Sequence, residues 1–90
     1  MATFIVETHY VPELQDRRLA ARPRHLQNLD VMRERHQLVN AGPLADGSGA
    51  VLIYSVGSRA ELDRLLAADP YPTDAVQVSS IREWKHNYEF

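Results

Sequence analysis

Residues 22–44, RPRHLQNLDVMRERHQLVNAGPL, decide the fold. They read as a helix, a strand and a tight turn in succession. Pro23 suits the first turn of a helix, where its missing N–H costs nothing. Leu26, Leu29 and Met32 recur at i, i+3 and i+6, which keeps them on one stripe. The spacing predicts a main helix over about 22–36. His25 stands four residues before Leu29 and seven before Met32, so it projects from the buried stripe and not from the wet face. Leu38–Ala41 then reads as a short strand closed by a turn at Gly42-Pro43.

Upstream, residues 3–8 (TFIVET) are mostly β-branched or aromatic and predict a first strand, with Phe4 and Val6 on one face and Ile5 on the other. His9–Pro12 breaks that strand, and residues 13–20 suit a short helix. Downstream, residues 45–49 (ADGSG) are a loop, and 50–56 (AVLIYSV) form a near-continuous apolar strand of the kind usually covered on both faces. Ser58-Arg59-Ala60-Glu61 matches a capping box ahead of a second amphipathic helix, 59–68, marked by Leu62, Leu65 and Leu66. Asp69-Pro70 stops it, because proline disfavours helical geometry at the residue before it. Residues 71–75 are a turn or a short helical piece. Val76, Val78, Ile81 and Trp84 mark a last strand over 76–86.

The order strand, helix, strand, strand, helix, strand fits the split βαβ, ferredoxin-like α+β fold: a four-stranded antiparallel sheet with two helices on one face. The opposite face still carries apolar side chains from the first and third strands. A chain of 90 residues predicts one domain, and one this small is marginal alone. With no cysteine there is no disulfide, and four histidines without cysteine do not suit a structural zinc site. Oligomerisation is the remaining support, so a two-fold homodimer through the open sheet faces is expected.

Composition narrows the function. Twelve acidic against ten basic residues argue against nucleic acid, which needs a basic face. Arg17, Arg18, Arg22 and Arg24 cluster, but Glu13 and Asp16 flank them, and a solvated helix face is the favoured reading over a phosphate site. No apolar run reaches the ~20 residues that span a bilayer, and the first residues lack the pattern of a signal peptide. A soluble, cytoplasmic protein with no membrane partner is expected. Gly47-Ser48-Gly49 is no phosphate loop, and Ser55, Ser79 and Ser80 have no nucleophile-elbow context. His36 falls ~16 Å along the helix from His25, too far to share a metal, and His9 and His86 sit near opposite ends of the sheet. No metal and no cofactor are expected. Trp84 and Tyr88 read as packing or subunit-contact residues.

Chain direction gathers a site. With the first strand running up, the top of the sheet collects the start of the main helix, the end of the second strand and the end of the second helix. Those are His25, Gly42-Pro43 and Asp69-Pro70-Tyr71. The helix start offers unpaired N–H groups and a positive dipole end, which favour an anionic ligand or an enolate-like charge. A histidine with a carboxylate partner can act as a general base near neutral pH. From position alone, His25 also suits a hydrogen-bonded core histidine, Asp69 a helix stop, and Tyr71 either a pocket cap or packing over a helix end. Arg22 could meet a ligand carboxylate or an acid of the chain itself.

Three blocks resemble the YciI-like (YCII-related) family: R-P-x-H-L at Arg22–Leu26, A-G-P-L at Ala41–Leu44 and A-D-P-Y at Ala68–Tyr71. The resemblance covers essentially the whole chain. It implies a ferredoxin-like subunit that dimerises into an α+β barrel, with a pocket whose His–Asp pair carries over to His25 and Asp69. Gly42, Pro43 and Tyr71 match wall positions of that pocket. One branch of the family includes a dehydrochlorinase that acts on a chlorinated hydroxyhydroquinone without a cofactor. Two function classes follow. One is a cofactor-independent enzyme moving a proton, by elimination or isomerisation, on a small phenolic or enolic anion; its catalytic residues are His25 and Asp69, and Arg22, Gly42, Pro43 and Tyr71 bind substrate. The other is a non-catalytic ligand-binding or dimerisation module of the same fold.

Overall fold

Alternation in the first strand sets the two faces of the sheet. In β1 (Ala2–Tyr10), Phe4, Val6 and Thr8 are buried while Ile5 and Glu7 on the other face are half-buried. This computed structural model describes residues 1–85, so the readings made for His86 and Tyr88 lie outside the described residues. β1 pairs antiparallel with β3 (Gly49–Val56), setting Phe4 against Tyr54 and Val6 against Leu52. β4 (Val76–Glu83) flanks β1, β2 (Leu38–Pro43) flanks β3, and the sheet order is β2-β3-β1-β4. With α1 (Gln15–Glu34) and α2 (Arg59–Ala67), this is the ferredoxin-like α+β fold. Met32 of α1 and Leu62 of α2 join Phe4, Val6, Leu52 and Tyr54 in one apolar cluster, so both helices cover the same sheet face. Fully burying a side chain such as Leu62 or Val6 stabilises the fold by about 1.5–3 kcal/mol each.

The main helix differs from its expected extent. The chain leaves β1 through a single 3-10 turn, Pro12–Leu14, and then forms one helix of 20 residues, so Pro23 is interior and not at the first turn. An interior proline removes one hydrogen bond and costs about 3 kcal/mol. Here the damage faces water: Pro23 and Leu19, whose carbonyl loses its donor, are both exposed. The inward positions Arg18, Ala21, His25, Leu29 and Met32 keep helical spacing straight through the proline. Both halves therefore dock on the sheet as one rod, and docking overrides the local preference. Leu26, placed on the buried stripe from sequence, is instead 41% exposed, on the rim of that face.

The helix ends at Glu34, two residues earlier than expected. His36 takes a left-handed φ of 60°, its N–H donates to the Arg33 carbonyl (3.0 Å), and the Gln37 N–H donates to the Met32 carbonyl (2.8 Å). This is a Schellman cap with histidine where glycine is usual. Gly42-Pro43 is not the turn it was expected to be. Both residues lie in β2, opposite Val51 and Ala50, on an edge strand that tolerates proline. The turn follows at 44–48, with Gly47 at φ 75° and Leu44 N–H bonded to the Gly49 carbonyl at 2.9 Å. β1 runs on through Tyr10 where a break at His9 was expected, and β4 stops at Glu83.

The capping box is present. Ser58 Oγ accepts from the Glu61 N–H at 3.1 Å, and the Glu61 carboxylate accepts from the Gly57 N–H at 2.6 Å. The carboxylate thus satisfies the residue before the cap. No helix among the described residues is long and apolar enough to cross a membrane.

Candidate active site

Three elements that are distant in sequence meet beneath α1. His25 hangs from the inward face of that helix, and Asp69 follows the end of α2 directly. His25 Nδ1 lies 2.9 Å from each Asp69 carboxylate oxygen. Only 12% of the His25 side chain and 18% of the Asp69 side chain reach solvent. The carboxylate is itself held, because its Oδ1 accepts the Tyr71 N–H at 2.8 Å. That bond closes a tight Asx turn over Asp69-Pro70-Tyr71, a geometry aspartate favours before proline. The turn lays the Tyr71 ring on the His25 ring, with centroids 3.8 Å apart and planes 16° from parallel. The Tyr71 ring therefore covers one face of the imidazole.

The chemistry of this contact fixes the imidazole. An ionised carboxylate accepts only, so Nδ1 carries the proton and donates it to Asp69. Nε2 is then the basic nitrogen, and it has no hydrogen-bond partner among the described residues.

The pair lines a cavity of about 440 Å³. Arg22, Gly42, Pro43 and Tyr71 line it as well, so the structure brings all six residues picked from the sequence to one space. The top of the sheet does gather these segments, but α1 starts ten residues before His25, about 15 Å away along the axis. The helix N–H groups and dipole that were expected beside His25 are therefore elsewhere. Gly42 has open space around the position of a Cβ, so it leaves room and is not forced by a close contact. Leu29, Leu52, Leu66 and Val76 give the cavity apolar walls.

Of the lining residues that sequence reading missed, three are aromatic or charged: Tyr10, Arg18 and Tyr54. Tyr54 is 1% exposed, yet it lines the cavity. Burial, and then the Asp69 charge, push its pKa well above the ordinary tyrosine value, so it is a neutral donor at any physiological pH. A lone hydroxyl in AVLIYSV was the available signal. Arg18 sits with its guanidinium carbon 4.2 Å from the centroid of the Tyr10 ring, and both line the cavity. The arginine cluster thus divides. Arg17 points outward and pairs with Asp74, as a solvated face should, whereas Arg18 and Arg22 turn to the cavity. Burial also raises the Tyr71 phenol, against the opposing pull of Arg18 and Arg22. Among the described residues no group of three or more His, Cys, Asp or Glu side chains is placed to hold a metal ion.

The YCII-related domain matches residues 2–85. The chain is similar in structure to the 5-chloro-2-hydroxyhydroquinone dehydrochlorinase of Burkholderia phenoliruptrix AC1100, solved in complex with 2,5-dihydroxybenzoquinone. The TM-score is 0.77 at 20% identity, over 94% of this chain and 95% of that one. No curated protein matches the sequence.

Proposed function

The chain belongs to the YCII-related family, and from that premise we propose that it is a small enzyme that moves a proton on a small phenolic or enolic anion, by elimination or isomerisation. One observation carries the reading: His25 Nδ1 is 2.9 Å from both oxygens of Asp69, which leaves Nε2 as a base on the wall of a cavity. In the proposed reaction Nε2 takes the proton from a C–H or O–H of the substrate. The bonding pair moves into the substrate to form a C=C or C=O, and either expels a leaving group as its anion or rests as an enolate. Asp69 steadies the imidazolium, and the imidazolium returns the proton to the product or to water. The Tyr54 phenol and the Arg22 guanidinium bind the negative charge that develops. No redox partner is needed for such a step. The dehydrochlorinase of similar fold, which removes HCl from a hydroxylated ring by the sense of its name, supports this substrate class.

General acid–base catalysis contributes about 10²–10⁴-fold, so His25→Gln is expected to lose at least two orders of magnitude in kcat/KM. The assay is a panel of small phenolic, enolic and lactone acids, first ranked by thermal shift, then tested for turnover and solvent-deuterium incorporation. Binding without turnover in the native protein, or equal turnover in His25→Gln, sinks the catalytic reading and leaves a ligand-binding module. We further propose a homodimer through the open sheet face, where Ile5, Val51 and Ile53 are only half-buried. Sedimentation of the native chain as a monomer at micromolar concentration counts against it.

A further inference from the structure

We propose that Tyr10 and Arg18 form a carboxylate subsite about two turns along α1 from His25, with Arg22 between the two, and that the natural ligand is a small ring carrying one carboxylate. The proposal rests on the cavity being a ligand site, as above, but not on His25 being a base.

Helix geometry assembles the subsite. Arg18, Arg22 and His25 stand at i, i+4 and i+7 of α1, so they share one face. They rise about 6 and 10 Å along the axis from Arg18. One face thus offers a base at one level and two cations above it. Arg18 is restrained there by the Tyr10 ring, 4.2 Å from its guanidinium carbon.

The Arg18 guanidinium faces the Tyr10 ring and the Tyr71 phenol and forms no ion pair among the described residues. Its Nε is shut off from solvent, so a ligand reaches this side chain through its Nη groups. A part-buried charge without a counter-charge is costly, and the acids of the chain do not supply one. Asp69 is engaged by His25 and the Tyr71 N–H, Asp74 is engaged by Arg17, and Glu13 and Asp16 are exposed and do not line the cavity. Arg18, Arg22 and Asp69 are the charged side chains on the cavity wall, which leaves one positive charge in excess. That balance matches a monoanion. The two Nη groups of an arginine stand side by side, at the spacing from which a carboxylate accepts two parallel hydrogen bonds. The apolar walls and the volume near 440 Å³ suit a single ring beside that carboxylate.

The test follows the Arg18 Nε–H cross-peak in ¹⁵N–¹H spectra of the full chain during titration with benzoate and with benzyl alcohol, its neutral counterpart of similar shape. Benzoate is expected to shift this cross-peak and benzyl alcohol to leave it in place. Arg18→Met should weaken benzoate binding at least tenfold, and Arg18→Lys, which keeps the charge but not the fork, should recover part of it. Arg17→Met, at a neighbouring arginine that faces solvent, should bind benzoate as the native protein does. The titration reads binding and not turnover, so failure of proton transfer leaves its result standing. An unmoved Arg18 cross-peak, an equal response to benzyl alcohol, or undiminished binding in Arg18→Met overturns the subsite.

Discussion

Asp69→Asn tests the arrangement without any knowledge of the substrate. In the native site Oδ1 accepts from both the Tyr71 N–H (2.8 Å) and His25 Nδ1 (2.9 Å), and Oδ2 stands at the same 2.9 Å from Nδ1. If the asparagine oxygen keeps the Tyr71 amide, its NH₂ takes the place of Oδ2 and faces His25 Nδ1. Two N–H groups cannot point at each other across that distance, so the imidazole must shift its proton to Nε2 and accept through Nδ1. The ring stays in place, but the nitrogen offered to the cavity becomes a donor. A comparable swap in the Ser-His-Asp triad drops kcat by about 10⁴ through the wrong tautomer, and a loss of about 10²–10⁴ is expected here.

Stability should fall far less than activity. Hydrogen bonds to a charged group contribute about 1.5–3 kcal/mol and neutral ones about 0.5–1.5 kcal/mol, so the exchange costs about 1–2 kcal/mol. In a chain of 90 residues that lowers the melting temperature by about 5–15 °C. Long-range ¹⁵N–¹H correlation spectra report the tautomer directly. The native protein should show His25 protonated at Nδ1, and Asp69→Asn should show it protonated at Nε2. An Nδ1-protonated ring in the variant, or an Nε2-protonated ring in the native protein, refutes the reasoning whatever the assay finds.

Three further changes probe other parts of the fold. A Cβ at Gly49 would lie 1.8 Å from the Thr8 carbonyl oxygen, so Gly49→Ala must push β1 from β3 and should cost about 3 kcal/mol in urea unfolding, whereas Gly42→Ala, with open space, should stay within about 0.5 kcal/mol. His36→Gly relieves a left-handed residue at the end of α1 and should raise stability by about 0.5–1 kcal/mol in the same assay. The folded state holds the Tyr54 proton more tightly than the unfolded state, whose value is near 10.0, so this contribution is intact below pH 10 and lost as pH climbs from there towards the native value. Native stability should therefore drop by about 1.4 kcal/mol per pH unit more than that of Tyr54→Phe above pH 10, and parallel curves would contradict the burial argument.

What the sequence revealed follows from period. Phe4 and Val6 alternate, His25 keeps phase with Met32, and both placements hold in three dimensions. The gathering of His25, Gly42-Pro43 and Asp69 needed only the order of elements, since antiparallel directions bring the same ends together. What failed was local. Proline was weighed by its neighbours, yet Pro23 lies inside α1 because its outward side faces water and its inward neighbours stay in phase. Arg17 and Arg18 look alike as letters, but one residue turns a helix by about 100°, enough to send one to solvent and the other to the cavity. His36 could not be read as a cap, because that position is normally announced by glycine.

The displaced helix start changes which part of the molecule must handle charge in the proposed reaction. A dipole effect fades within the first turn of a helix, and His25 is ten residues in. Backbone N–H groups of α1 therefore contribute nothing at Nε2. Side-chain donors share the cavity with His25 instead, among them the Tyr54 phenol, kept neutral by burial, and the guanidinium of Arg22, one turn before His25. A backbone anion hole resists mutation, but these groups do not. Tyr54→Phe removes one oxygen from a well-packed position, and Arg22→Gln removes one charge from an exposed one. If charge stabilisation resides in these two side chains, each change lowers kcat while leaving the His25 tautomer as it is. A variant of both that still turns over substrate at the native rate would place that stabilisation elsewhere, and the proposed mechanism would lose its account of the developing anion.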